Sequence, residues 1–159
     1  MTTKNTDLVA NFEATPPVLN NAAELAGVVR TAHGSVELAA GDSTDNDIVM
    51  LAPIPSNAAV PQLFVGSDTL GGSCTFNVGI YKTDGTVKDE DVFATAVADD
   101  AALADVRFEV ANIDTSRKKM WELAGDSTDP GGYFYIAVTF AATGGTAGTM
   151  AWNISYVVD

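Results

Sequence analysis

The strongest constraint on the fold lies near the end of the chain. Residues 132–141 (GYFYIAVTFA) are one aromatic and β-branched run, residues 143–149 (TGGTAGT) a loop of small residues, and residues 150–158 (MAWNISYVV) a second run. In the second run Met150, Trp152, Ile154, Tyr156 and Val158 alternate with Ala151, Asn153 and Ser155. Successive side chains of a strand point to opposite faces, so this pattern puts one face in a core and the other toward water or a neighbouring strand. The expectation is a hairpin of two long antiparallel strands, with the earlier strands packed against it.

Those earlier strands are legible in outline. Residues 28–38 are rich in branched side chains, and residues 47–54 form a continuous apolar run suited to a strand covered on both faces. Pro53 and Pro55 should end that run, because proline cannot donate to a ladder. Pro61, within 59–65, marks an edge or a bulge. Residues 74–82 read as a buried strand, followed by Asp84-Gly85, a hairpin-turn signal. Residues 89–97 start acidic and continue Ala-rich, which reads as a helix. Residues 106–110 alternate as a strand, and 119–123 fit either a short strand or a helical turn. Several short strands separated by turn signals predict an all-β fold: an antiparallel β-sandwich, jelly-roll-like, over residues 28–159.

Residues 1–27 differ in composition. Thr, Asn and Ala dominate, Thr15-Pro16-Pro17 interrupts any regular element, and residues 21–26 before Gly27 suit one short helix. Leu8, Val9 and Phe12 are apolar residues on a polar segment. Two readings stand open: a disordered tail, or an irregular N-terminal arm that orders on a partner with those three residues as anchors.

Charge narrows the partners. Twenty-one acidic residues against 8 basic give a net charge of −13 in 159 residues. Such a surface repels polyphosphates, so nucleic acid is not an expected partner. No apolar run approaches membrane-spanning length, and no charged-then-apolar signal pattern opens the chain, so folding in a cytoplasm is expected. The single cysteine, Cys74, reads as a small buried hydrophobe. The basic cluster Arg117, Lys118 and Lys119 is either a solvated loop or a contact for an acidic neighbour.

No catalytic constellation is visible, and neither a cofactor nor a metal is expected. His33 and Ser35 share a strand face, but a serine nucleophile also needs a positioned third group and a donor pocket. One His and one Cys cannot close a zinc site. The aspartates of 42–47, 84–91 and 126–129 lack EF-hand spacing and read as turn formers, with calcium the alternative. The near-repeat of 37–45 (ELAAGDSTD) in 122–129 (ELAGDSTD) reads as one loop geometry used twice. Tyr133 and Tyr135 share a face and leave a sugar-stacking surface as an option, whereas Trp152 is assigned to the core.

Several stretches resemble small structural proteins of tailed bacteriophages: Asn20-Asn21 with Leu25-Ala26-Gly27, then 32–40 (AHGSVELAA), 54–57 (IPSN), 77–85 (NVGIYKTDG), 91–94 (DVFA) and 121–130 (WELAGDSTDP). The resemblance implies a virion component without enzymatic activity, most similar to capsid decoration, or cement, proteins. Its implied partner is the major capsid protein, its implied state a homo-oligomer with a trimer favoured, and its implied location the capsid surface after synthesis in the host cytoplasm. Leu8, Val9, Phe12, Arg117, Lys118 and Lys119 are the residues assigned to partner contact. A tail or fibre component, or a carbohydrate-binding adhesion module, is the alternative.

Overall fold

A computed structural model describes residues 4–21, 24–99 and 102–158. A short helix, α1 (Asp7–Glu13), precedes the strands β1 (Val29–Leu38), β2 (Ile48–Pro55), β3 (Ala58–Ser67), β4 (Thr75–Lys82) and β5 (Val87–Ala98). A two-residue strand β6 (Ala104–Asp105), a 3-10 turn (Ile113–Arg117) and a one-turn helix α2 (Met120–Leu123) follow. The strands β7 (Tyr133–Ala142) and β8 (Gly148–Val158) complete the chain.

The strands form two four-stranded antiparallel sheets, ordered β1-β8-β3-β6 and β2-β7-β4-β5. The molecule is therefore the all-β sandwich that the alternation predicts. Between the sheets Ile54, Leu63, Val65, Phe76, Val78, Ile80, Ile136, Val138, Phe140, Met150 and Ile154 form one buried cluster. Phe76 and Phe140 meet edge to face, with ring centroids 6.4 Å apart, an arrangement that aligns the positive ring edge with the negative ring face. Each fully buried side chain of this size contributes about 1.5–3 kcal/mol, so the inner faces dominate the stability. Trp152, half-buried and packed on this cluster, lies across Gly34 of the neighbouring strand.

The two C-terminal strands do not form a hairpin. β7 lies between β2 and β4, while β8 lies between β1 and β3 in the other sheet. The glycine-rich segment after β7 thus crosses from one sheet to the other. Period-two alternation states which face a strand buries, and both of these strands bury a face in the same core from opposite sides.

Residues 89–97 are strand, not helix. β5 pairs with β4 through a ladder with three register shifts, and it buries Phe93 and Ala94 completely. Helix propensity is worth a few tenths of a kcal/mol per residue, less than burying Phe93 and closing a sheet edge. One shift is readable at Gly79, which approaches the backbone of Asp89 and Glu90 so closely that any Cβ would overlap the Asp89 carbonyl.

Residues 106–110 also depart from expectation. Only Ala104–Asp105 pairs with β3, and the chain then turns away, with Arg107 buried inward. Residues 119–123 take the helical option. β2 runs through Pro53 to Pro55, because it is an edge strand whose proline forfeits no needed ladder bond. Ile48 and Met50 on it are exposed, so it is not covered on both faces. Pro61 sits at a register shift between Ala59 and Gln62, the expected bulge. Asp84-Gly85 forms the β4–β5 turn, and Cys74 is buried.

The repeated acidic string has two geometries. Leu38 and Leu123 are buried in both copies, but the first ends a strand and the second a helix. Gly125 has φ 77° whereas Gly41 is not left-handed, and Ser43 is buried whereas Ser127 is exposed. Near the N-terminus the helix stands at 7–13. The one expected over 21–26 falls partly on residues 22 and 23, outside those described; Leu25 donates its N–H to the Asn21 carbonyl.

Candidate functional site

Of the residues assigned to partner contact, Leu8 of α1 and Arg117 at the end of the 3-10 turn line one cleft, and Lys118 and Lys119 follow Arg117 in the chain. That turn starts at Asn112, whose side chain accepts the Asp114 N–H at 3.1 Å, and ends at Arg117. The Arg117 guanidinium donates to Glu24 at 2.6 Å and to Asp7 of α1 at 3.4 Å. Hydrogen bonding to Glu24, with the two carboxylate charges, pushes the Arg117 pKa up. The basic cluster is thus joined to the chain's own N-terminal segment. Arg117 and Asp7 are largely exposed, so these pairs position α1 more than they stabilise it.

α1 buries none of its residues. Phe12 is 75% exposed and Val9 42%, while Leu8 is half-buried. Leu19 is 96% exposed on the same segment, and Ile113 76% exposed on the turn that receives it. Lys118 is exposed and leads into Lys119, whose N–H donates to Glu122 at the start of α2. A shallow cleft of about 380 Å³ runs here between Glu24, Arg117, Lys118 and Trp121.

A buried cation underlies this surface, and the sequence reading did not single it out. Arg107 is fully buried; its Nε donates to the Val60 carbonyl of β3 at 2.7 Å and its Nη2 to the Thr115 carbonyl at 3.0 Å. The guanidinium carbon lies 5.2 Å from the centroid of Phe93 and 4.5 Å from that of Phe108. Two cation–π contacts and two charge-assisted bonds offset part of the desolvation. Burial lowers its pKa to about 10, which leaves it charged at neutral pH. Arg107 ties the 3-10 turn, and so the α1 anchor, to β3 and β5. The only sequence signal was a charged residue in the apolar stretch Val106-Arg107-Phe108.

Elsewhere the acidic loops are built as turns. Asp42 accepts the Ala39 N–H at 2.9 Å, Asp47 the Thr44 N–H at 2.8 Å, and Asp129 the Gly131 N–H at 2.9 Å. Among the described residues no three acidic, His or Cys side chains cluster as metal ligands. His33 and Ser35 are exposed on β1, an edge strand, opposite Asn153 and Ala151. Among the described residues no helix is long and apolar enough to cross a membrane. Tyr133 is exposed beside a second cleft, whereas Tyr135 is half-buried on the same face as Tyr81, whose hydroxyl bonds Thr139.

No family model matches the chain, and no curated protein matches it. Among solved structures, a chain in the capsid of Ralstonia phage GP4 superposes with a TM-score of 0.61 at 21% identity, over 84% of this chain and 86% of that one. A chain in the capsid asymmetric unit of cyanophage Pam1 superposes with a TM-score of 0.51 at 15% identity, again over 84% and 86%. The β-sandwich is therefore a fold shared, over nearly its whole extent, with chains of two phage capsids.

Proposed function

We propose that this chain is a non-enzymatic structural protein of a bacteriophage virion, and specifically a decoration protein that binds the assembled capsid surface and stabilises it. The observation that carries the reading is the fold shared with two phage-capsid chains over more than four fifths of each partner. The N-terminal segment supports the finer role. A seven-residue helix is too short to persist alone, since isolated helices need about 12–15 residues. α1 has no fully buried residue and leaves Val9 and Phe12 exposed, with Arg117 bonded to its Asp7.

The physics of such a role needs no active site. A protein that binds the closed shell and not free subunits stabilises the shell by mass action, by about 2.7 kcal/mol per site at a hundredfold excess over Kd. A homotrimer presenting three N-terminal arms gains avidity when all three engage together. Leu8, Val9 and Phe12 supply apolar anchors on the major capsid protein, and Arg117, Lys118 and Lys119 the basic contacts. The remaining acidic surface keeps the particle soluble.

Immunogold microscopy of phage particles tests the location: gold over the heads supports decoration, and gold confined to tails overturns it. Capsid sedimentation tests the arm. Deleting residues 1–27 should abolish co-sedimentation while the β-sheet circular dichroism persists; undiminished co-sedimentation would remove the arm from the mechanism.

A further inference from the structure

A second cleft lies away from α1. It is enclosed by the β4–β5 turn on one side and the 126–134 segment on the other, with a volume of about 280 Å³. Lys82, Asp84, Lys88, Asp126 and Tyr133 line it. The Lys88 ammonium bonds Asp126 at 2.7 Å, and both side chains are largely covered. Asp84, on the rim of the cleft, accepts the Thr86 N–H at 2.9 Å, and hydrogen bonding to Thr86 holds its carboxyl below the usual range. Tyr133 opens β7 directly after Gly131 and Gly132 and is 57% exposed. It is the most exposed aromatic of the β-sheets.

From this combination we infer that the cleft binds a neutral saccharide ring, with Tyr133 as the stacking platform and Lys82, Asp84, Lys88 and Asp126 as hydrogen-bonding partners of its hydroxyls. The chemistry selects the ligand class in three steps. An exposed aromatic face beside polar groups suits a molecule with one apolar C–H face and a polar rim. Two ammonium and two carboxylate groups balance locally, in a chain that is otherwise strongly acidic, so neither an anion nor a cation is favoured. Paired donors and acceptors match vicinal hydroxyls, each of which both donates and accepts. The volume of about 280 Å³ falls just below the usual span of ligand sites, roughly 300–1,000 Å³, which fits a single ring rather than an extended chain.

The test is saturation-transfer NMR on the full chain with a panel of neutral hexose and N-acetylhexosamine disaccharides, and with sialyllactose as the anionic control. We expect transfer from at least one neutral disaccharide, with Kd of about 1 mM or tighter. Tyr133→Ala should weaken it at least tenfold, Tyr133→Trp should retain it, and Asp84→Ala, on the opposite lip, should weaken it severalfold. Thermal melting of each variant checks that the sandwich is unchanged. The inference fails if no neutral disaccharide binds at about 10 mM, if sialyllactose binds more tightly, or if Tyr133→Ala binds as well as the native chain. Binding to capsids does not enter this experiment, so its result is independent of the decoration reading.

Discussion

Arg107 combines two hydrogen bonds and two cation–π contacts in one fully buried side chain. Its removal leaves the carbonyls of Val60 and Thr115 without their donor and opens a void between Phe93 and Phe108. Each orphaned buried group costs about 1–3 kcal/mol, and the void adds to that. Arg107→Ala should therefore destabilise the fold by about 3 kcal/mol or more, measured by urea denaturation. The pH dependence has a definite sign. The folded pKa, about 10, lies below the ordinary arginine value, so above about pH 10 the unfolded chain holds the proton more tightly. The cost of burying the charge is constant below about pH 10 and is relieved only above it, so Arg107 does not switch at physiological pH. Tyr81 works in the opposite direction. Burial raises its pKa above 10, so its contribution is intact below pH 10 and is lost as the phenol ionises above that.

Among the elements, β5 carries the clearest electrostatic cost. Asp89, Glu90 and Asp91 are consecutive on this edge strand, and partial burial together with the neighbouring charges raises the Asp89 pKa. An acid whose folded pKa is raised favours the folded state below its unfolded value, near 3.8, and loses that advantage as pH rises through the folded pKa. Asp89→Asn keeps the side-chain oxygen that accepts the Asp91 N–H and removes the charge. Its melting temperature should exceed that of the native chain at pH 7, and the difference should close at pH 3; an unchanged value at pH 7 would show that solvent already screens the run. The acidic run also sets like charges along an exposed sheet edge, a feature that discourages edge-to-edge pairing. The same charges explain why β5 reads as a helix start in sequence: acidic residues before an Ala-rich stretch are a helix signal, and only the ladder with β4 and the burial of Phe93 override it.

At the scale of the molecule, the self-repulsion of a net charge of −13 is opposed by three ion pairs among the described residues. Self-repulsion of that size is screened by salt. Raising sodium chloride from about 20 mM to about 500 mM should raise the melting temperature by about 2–4 °C, the shift that corresponds to about 1 kcal/mol in a domain of this size. A fall would mean that the few attractive pairs outweigh the repulsion. What the sequence determined was local. Side-chain alternation set which face of β8 is buried, Asp84-Gly85 set a turn, Pro61 marked a bulge, and the apolar setting of Cys74 placed it inside. These signals act between residues a few positions apart and survive whatever the rest of the chain does. Tertiary structure alone decided that β7 and β8 join different sheets, that 89–97 is a strand, that Arg107 turns inward, and that Arg117 meets Glu24 and Asp7 across 93 and 110 positions of chain. Each of these depends on a partner far away in sequence, whose position exists only once the two sheets have closed on a common core.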